Sequence, residues 1–286
     1  SGFAGQALAL HSFPAFYSPM RYPKPLLLVL LLLGSLLPAH AQTTEGQAQP
    51  VTLEDVWALY RFYPQNAQAL RWLQDGSHYT RLTEDGLLKL HATRPDTSTL
   101  VPARALLLPD STSLAQASYQ VGADEQLILF QTEGEQLYRH SEKFRCHVYD
   151  RQRDTLLAIY DGKKVFNAQF DPTGQRLAFT YENNLYIQHL RSGRVVQVTD
   201  DGKWNHVLNG RTDWVHEEEF AFTRAFAWNA DGTQLAWLRY DESQVREFTM
   251  DIYNGLYPER DAFKYPKAGE DNAEVSLFCY HVGRGI

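Results

Sequence analysis

Phe170-Asp171-Pro172-Thr173-Gly174-Gln175-Arg176-Leu177-Ala178-Phe179 and Trp228-Asn229-Ala230-Asp231-Gly232-Thr233-Gln234-Leu235-Ala236-Trp237 are two copies of one pattern, 58 positions apart. Each reads as the end of one apolar strand, a tight turn closed by Gly, and the start of a second strand. The spacing is close to the roughly 40–50 residues of a four-stranded propeller blade, lengthened by one inserted loop. A sandwich also yields many short strands, but it does not predict a repeated aromatic-x-x-x-Gly-x-x-Leu-Ala-aromatic hairpin. The pattern therefore predicts an all-β chain built as a partial β-propeller.

The surrounding sequence agrees. LRWLQDGSHYTRL (70–82), VFNAQFDPTGQRLAFTYENNLYIQHL (165–190) and FAWNADGTQLAWLRYD (226–241) are successive apolar runs joined by Asp-Gly or Thr-Gly turns. Residues 69–286 are assigned to the incomplete propeller. Residues 42–68 form a polar lead-in and one short helix, with Thr52 as N-cap, Glu54 and Asp55 in the first turn, and Val56, Leu59 and Tyr60 at helical spacing.

Further upstream, MRYPKPLLLVLLLLGSLLPAHAQ carries Arg21 and Lys24, then an apolar run from Leu26 to Leu37, then Ala39-His40-Ala41. That is the layout of an export signal over 20–41, cleaved after Ala41. The run is shorter than the roughly 20 apolar residues of a spanning helix. Residues 1–19 precede the Met and read as upstream read-through. The protein is expected outside the cytoplasm, either periplasmic or extracellular.

Composition narrows the function further. The 286 residues carry a net charge of −7, with 44% hydrophobic and 13% aromatic residues and no long basic run. Nucleic acid is therefore not an expected partner. Cys146 and Cys279 show neither CxxC spacing nor a His cluster, so they read as two buried thiols, with no zinc site.

The remaining feature is DWVHEEEF, Asp213 to Phe220, inside the inserted loop. Successive strand residues face opposite sides, so Glu217, Glu218 and Glu219 act together only if the chain there is a helical turn or a bulge. Paired carboxylates repel and gain by taking a cation between them. A peptide α-ammonium is one such guest and a metal is the other, but no D-x-D-x-D-G calcium pattern occurs. A solvated charge run is the plain alternative, opposed by the flanking Trp214, Val215, Phe220 and Phe222. Asp241 and Glu242 read as an edge-strand turn.

TDWVHEEEF, RAFAWNADGTQLAWLRYDES and FKYPKAGEDNAEVSL, in this order, resemble the N-terminal propeller region of the dipeptidyl peptidase IV family, in particular its secreted bacterial members. The likeness runs from about Thr52 to Val282, and the family propeller has eight blades. It implies that Glu218 and Glu219 bind the free N-terminal amine of a peptide and that Glu217 is less involved. It also implies that Arg139, in QLYRHSEKF, holds a substrate carbonyl, a task suited to a guanidinium fork. His216 departs from the Tyr usual in the family; a charged imidazole there would compete with the amine, whereas a neutral one is a packing substitution.

The family cleaves peptides with a Ser-Asp-His triad on a C-terminal α/β-hydrolase domain. No G-x-S-x-G elbow occurs in this chain, and none of Ser111, Ser113, Ser141 or Ser276 sits in one, so no catalytic residue is nominated. The resemblance implies a secreted serine exopeptidase releasing Xaa-Pro or Xaa-Ala dipeptides, needing no cofactor and no metal. Its partners are peptides with a free N-terminus and its own hydrolase domain, with a homodimer of the full-length protein open. The chain reads as truncated before that domain and inactive alone. A non-catalytic propeller that binds peptides or partner proteins is the alternative.

Overall fold

A computed structural model describes residues 50–64 and 70–285. The predicted export signal, the cleavage point after Ala41 and residues 1–19 lie outside the described residues. The chain divides into two units, 1–65 and 66–286. No helix among the described residues is long and apolar enough to cross a membrane.

The described part of the first unit holds helix α1 (Leu53–Trp57). Thr52 caps it as predicted: its Oγ1 accepts the Asp55 N–H at 3.1 Å, and Asp55 Oδ2 accepts the Thr52 N–H at 3.0 Å. This is a reciprocal capping box with Asp in the usual place of Glu. The helix is shorter than the predicted spacing, and Leu59 and Tyr60 fall beyond it, with Tyr60 at φ +47°. So short a helix has little intrinsic stability, and its apolar side chains are largely exposed.

The second unit is all-β and propeller-like. Strands β1 (Arg71–Trp72), β2 (His78–Thr83), β3 (Gly86–His91) and β4 (Thr97–Pro102) pair antiparallel in chain order. A second meander follows in β5 (Ser118–Val121), β6 (Leu127–Gln136), β7 (Glu142–Asp150) and β8 (Thr155–Ala158). A third runs through β9 (Lys164–Phe170), β10 (Arg176–Tyr181), β11 (Asn184–His189) and β12 (Val195–Gln197). The second and third join where β7 pairs β9, Phe144 opposite Val165.

The fourth sheet centres on β15 (Gln234–Asp241), with β18 (Glu274–His281) along one edge. Its other edge is shared by β13 (Val207–Asn209), opposite Arg239–Asp241, and β14 (Phe226–Trp228), opposite Leu235–Trp237. One strand position is thus split in two, and residues 210–225 leave the sheet between the halves. A separate hairpin, β16 (Glu247–Ile252) and β17 (Glu259–Lys264), interrupts the path from β15 to β18. Sequence reading passed over this hairpin, although Asn254-Gly255 at its tip was a turn signal.

Apolar side chains of successive meanders, and of the third meander and the fourth sheet, pack on each other. Leu87, Leu100 and Val101 of the first meet Ile128 and Phe130 of the second; Val148 and Cys146 meet Val165, Leu177 and Phe179; Ala178, Leu185 and Ile187 meet Phe226 and Leu235. Alternation along each strand supplies both faces. Cys146 lies in this core, its thiol pushed up to about 12 by burial. Cys279 corrects the expectation of two buried thiols, since it sits exposed on β18.

The paired hairpins that decided the fold stack side by side. Arg176 of the first lies over the Trp228 ring of the second, 5.4 Å from its centre. Gly232, at φ +69°, approaches so closely that a Cβ there would stand 3.0 Å from Asp171 Oδ2 and 3.1 Å from Arg176 Nη2. The second turn therefore needs glycine both for its left-handed backbone and for this contact.

Candidate functional site

Within the 210–225 excursion the backbone first pairs with itself. Ala225 N–H donates to Gly210 O at 3.0 Å and Thr212 N–H to Thr223 O at 3.2 Å. Asn167 on β9 ties this stem down, donating from Nδ2 to Thr223 O at 3.0 Å and accepting from Thr223 Oγ1 at 2.9 Å. At the far end is helix α2 (Trp214–Phe220), so the irregularity that the three glutamates require is a helical turn. Asp213 is its N-cap, accepting the His216 N–H at 3.0 Å, and Ala221 ends it in the left-handed region at φ +54°.

Successive helix positions are about 100° apart, so the three carboxylates diverge. Glu217 points inward and is 1% exposed, Glu218 is half-buried, and Glu219 is exposed. The last turn of α2 contains no basic residue. Glu218 and Glu219 lie in that last turn, at the negative end of the helix dipole. A cation arriving there relieves both the dipole and the mutual repulsion.

Arg139 stands on the loop between β6 and β7, and the fold brings it to α2. Its Nε lies 2.8 Å from Oε1 and 2.9 Å from Oε2 of Glu218. All three predicted site residues therefore lie on two neighbouring segments. Glu219 makes no ion pair among the described residues. Beside the Arg139 loop a cavity of about 680 Å³ opens, lined by His140, Glu142, Asn167, Thr223 and Arg224 among others. It begins at the residue after Arg139, and none of the three predicted residues lines it.

His216 is engaged elsewhere. Its Nδ1 is 2.7 Å from Asp213 Oδ1, and its ring packs on Phe220 and Tyr240, with centroids at 5.6 Å and 4.9 Å. These contacts fit a packing and capping role at the start of the helix. Among the described residues no group of three or more His, Cys, Asp or Glu side chains is arranged to hold a metal.

Sequence reading missed the polar cluster beneath α2. Arg211, Asp213, Glu217 and Glu242 are each 5% exposed or less. Arg211 lies over the Phe166 ring at 4.7 Å, and burial lowers its pKa. Asp241 and Glu242 correct the edge-strand reading, because β15 is paired on both sides and Glu242 follows it into the interior. Burial, and then repulsion from Asp213, raise Glu242 to about 7, with Arg211 and Lys264 opposing. No local signal marks this cluster; its members come from separate stretches of chain.

A pH-dependent stability follows. An unfolded Glu242 titrates near its ordinary 4.5 and the folded one near 7. Between these values the native state holds a proton that the unfolded state has lost, so this residue's contribution falls as pH rises. Above pH 7 the loss is complete, at about 3 kcal/mol or less. Glu242→Gln is expected to match the parent near pH 4.5 and to exceed it at pH 8 in urea unfolding; parallel stability curves for the two proteins would contradict this.

Three comparisons bear on this geometry. The family model described as "Dipeptidyl peptidase IV (DPP IV) N-terminal region" matches residues 122–286. A probable dipeptidyl-aminopeptidase B of Chaetomium globosum is 30% identical over 282 residues, covering 86% of this chain and 30% of that protein. Dipeptidyl aminopeptidase B of Saccharomyces cerevisiae is 29% identical, covering 91% of this chain and 35% of that protein. The crystal structure of Porphyromonas gingivalis dipeptidyl peptidase 4 superposes with a TM-score of 0.76 at 36% identity, covering 83% of this chain and 34% of that one. The chain thus spans about a third of the length of the relatives it matches.

Proposed function

The chain belongs to the dipeptidyl peptidase IV family as part of its N-terminal region, and from that premise we propose that it anchors the substrate of a secreted serine exopeptidase. In this reading the enzyme releases N-terminal Xaa-Pro or Xaa-Ala dipeptides, and Glu218 and Glu219 grip the substrate ammonium. Arg139 holds Glu218 on one side and offers its remaining N–H groups to a substrate carbonyl. The reading is carried by one observation, the contact of Arg139 with Glu218 across 79 positions of sequence. That contact supports an assembled site over a solvated charge run, because such a run has no reason to meet a distant arginine.

The mechanism is positional. A peptide held by its α-ammonium presents one particular carbonyl at a fixed distance from the anchor, so the glutamates decide which bond lies over the nucleophile. The 286 residues contain no G-x-S-x-G elbow, so the nucleophile, base and oxyanion hole in this reading belong to an α/β-hydrolase domain outside them. This chain alone is then inactive. The predicted signal at 20–41 supports action in the periplasm or outside the cell.

The test is a pair of substrates for the peptidase that carries this chain, a dipeptide p-nitroanilide with a free amine and its N-acetylated form. Acetylation removes the charge and is expected to lower kcat/KM by about 100-fold or more, the worth of a charge-assisted contact in a partly desolvated site. Equal turnover of the two would dispose of the amine anchor.

A further inference from the structure

We propose that Glu217 is a positioning residue: its buried carboxylate ties the Arg139 loop to helix α2 and so sets the spacing between Arg139 and the amine-binding Glu218 and Glu219, without touching the peptide itself. This rests on the amine-anchor reading above, in which Glu217 has no part.

A single oxygen of Glu217, Oε1, accepts the backbone N–H of His140 at 2.7 Å and of Ser141 at 2.8 Å. These two residues follow Arg139 directly, and they lie 77 and 76 positions away from Glu217 in sequence. A carboxylate that is 1% exposed is costly to bury unless its hydrogen bonds compensate, so a position that served only as surface charge would not carry one. Its other oxygen has no partner among the described residues, which concentrates the interaction on the two N–H groups.

The visible contact between loop and helix, Arg139 with Glu218, does not explain the arrangement by itself. The Arg139 side chain is 70% exposed, and an exposed ion pair holds a long flexible side chain only weakly. What fixes the Arg139 backbone is buried on one side and internal on the other. Gln136 Nε2 donates to Arg139 O at 2.9 Å, and Leu137 N–H donates to Ser141 O at 2.9 Å, closing the loop on itself. Among the described residues, Glu217 supplies the buried hydrogen bonds that fasten this closed loop to α2. Because Glu217 and Glu218 are adjacent on one helix, any shift in the first bond moves the carboxylate that meets Arg139.

The experiment compares Glu217→Gln, Arg139→Ala and the double variant in the peptidase carrying this chain, using a free-amine dipeptide p-nitroanilide and its desamino analogue. Glu217→Gln keeps the shape and removes the charge. The expected result is a KM raised about tenfold for the free-amine substrate with kcat nearly unchanged, and a clearly smaller rise for the desamino analogue, which keeps the carbonyl assigned to Arg139 but lacks the amine. The effect should largely vanish in the Arg139→Ala background, since the two residues then act through one contact. Equal losses on both substrates, or strictly additive losses, would mark Glu217 as a purely structural residue and overturn the proposal.

Hydrogen exchange in the unmutated protein gives a second readout that does not depend on a variant folding. His140 and Ser141 amides should be protected although the loop lies at the surface; free exchange at both would equally overturn it. The two readings separate cleanly. If Glu218→Gln and Glu219→Gln keep normal kcat/KM, the amine anchor fails; if they lose it while Glu217→Gln does not, only the positioning role fails.

Discussion

In the peptidase proposed to carry this chain, Glu218→Gln is expected to lower kcat/KM for a free-amine dipeptide substrate by about 100-fold or more, and Glu219→Gln by about tenfold to 100-fold. The order follows from where the two carboxylates stand. A hydrogen bond to a charged group contributes about 1.5–3 kcal/mol, and each 1.36 kcal/mol is a decade in rate. Glu219 is exposed, so its loss removes only its own contact with the ammonium. Glu218 is half-buried and carries Arg139 as well, so its loss also frees the guanidinium that the reading assigns to a substrate carbonyl. Neither residue contributes to the core. Both variants should keep the parent circular dichroism and unfolding midpoint, which makes the kinetic loss interpretable. Parent kcat/KM in both would remove the assignment of these residues.

Asp171→Ala is expected to destabilise the fold by about 3–5 kcal/mol, as when one partner of a buried ion pair is deleted. Asp171 is 2% exposed and gathers most of its own hairpin turn. Its Oδ1 accepts the N–H groups of Gln175 and Arg176 at 2.8 Å and 2.9 Å; its Oδ2 accepts Thr173 Oγ1 at 2.6 Å and Arg176 Nη2 at 2.7 Å. Alanine leaves two backbone donors and a mostly buried guanidinium without their acceptor. It also disturbs the Arg176 contact with Trp228 on the neighbouring hairpin. Asp171→Asn keeps an acceptor for the two N–H groups and should lose less. Chemical unfolding measures both, and a cost for Asp171→Ala below about 1 kcal/mol would show that the pair is not what holds the turn.

The same turn shows how much of the fold was legible. In the second copy Asn229 takes the place of Asp171, and its Oδ1 accepts the Gln234 N–H at 2.9 Å, as Asp171 does for Arg176. A short polar side chain before a Gly turn bonds its own backbone, and that preference is written in a few adjacent residues. The Thr52 cap was readable for the same reason. The end of α1 was not, because so short a helix stops where its surroundings no longer support it.

Within the candidate site, DWVHEEEF announced concentrated charge that required a helical turn or a bulge, and of the two it is the helical turn that forms. The resemblance set Glu217 apart from Glu218 and Glu219, but which carboxylate is buried and what each one contacts was hidden. Three identical residues in a row carry no mark of which one faces inward; that depends on the phase of α2 against the Arg139 loop. Glu242 was misread for a related reason, since whether a carboxylate next to a strand is at an edge or in the interior depends on strands distant in sequence.

By itself, then, the amino-acid order determined the repeated hairpins, the turns that close them and the place of the acidic insertion, all of which arise from side-chain alternation and from bonds spanning a few residues. Only the tertiary structure decided that Glu217 is buried on the amides of His140 and Ser141, that Glu218 meets Arg139, and that Glu242 is raised toward neutrality. Those outcomes join segments tens of residues apart, where burial and a neighbour's charge are set by the packing of whole sheets and cannot be read from adjacent residues.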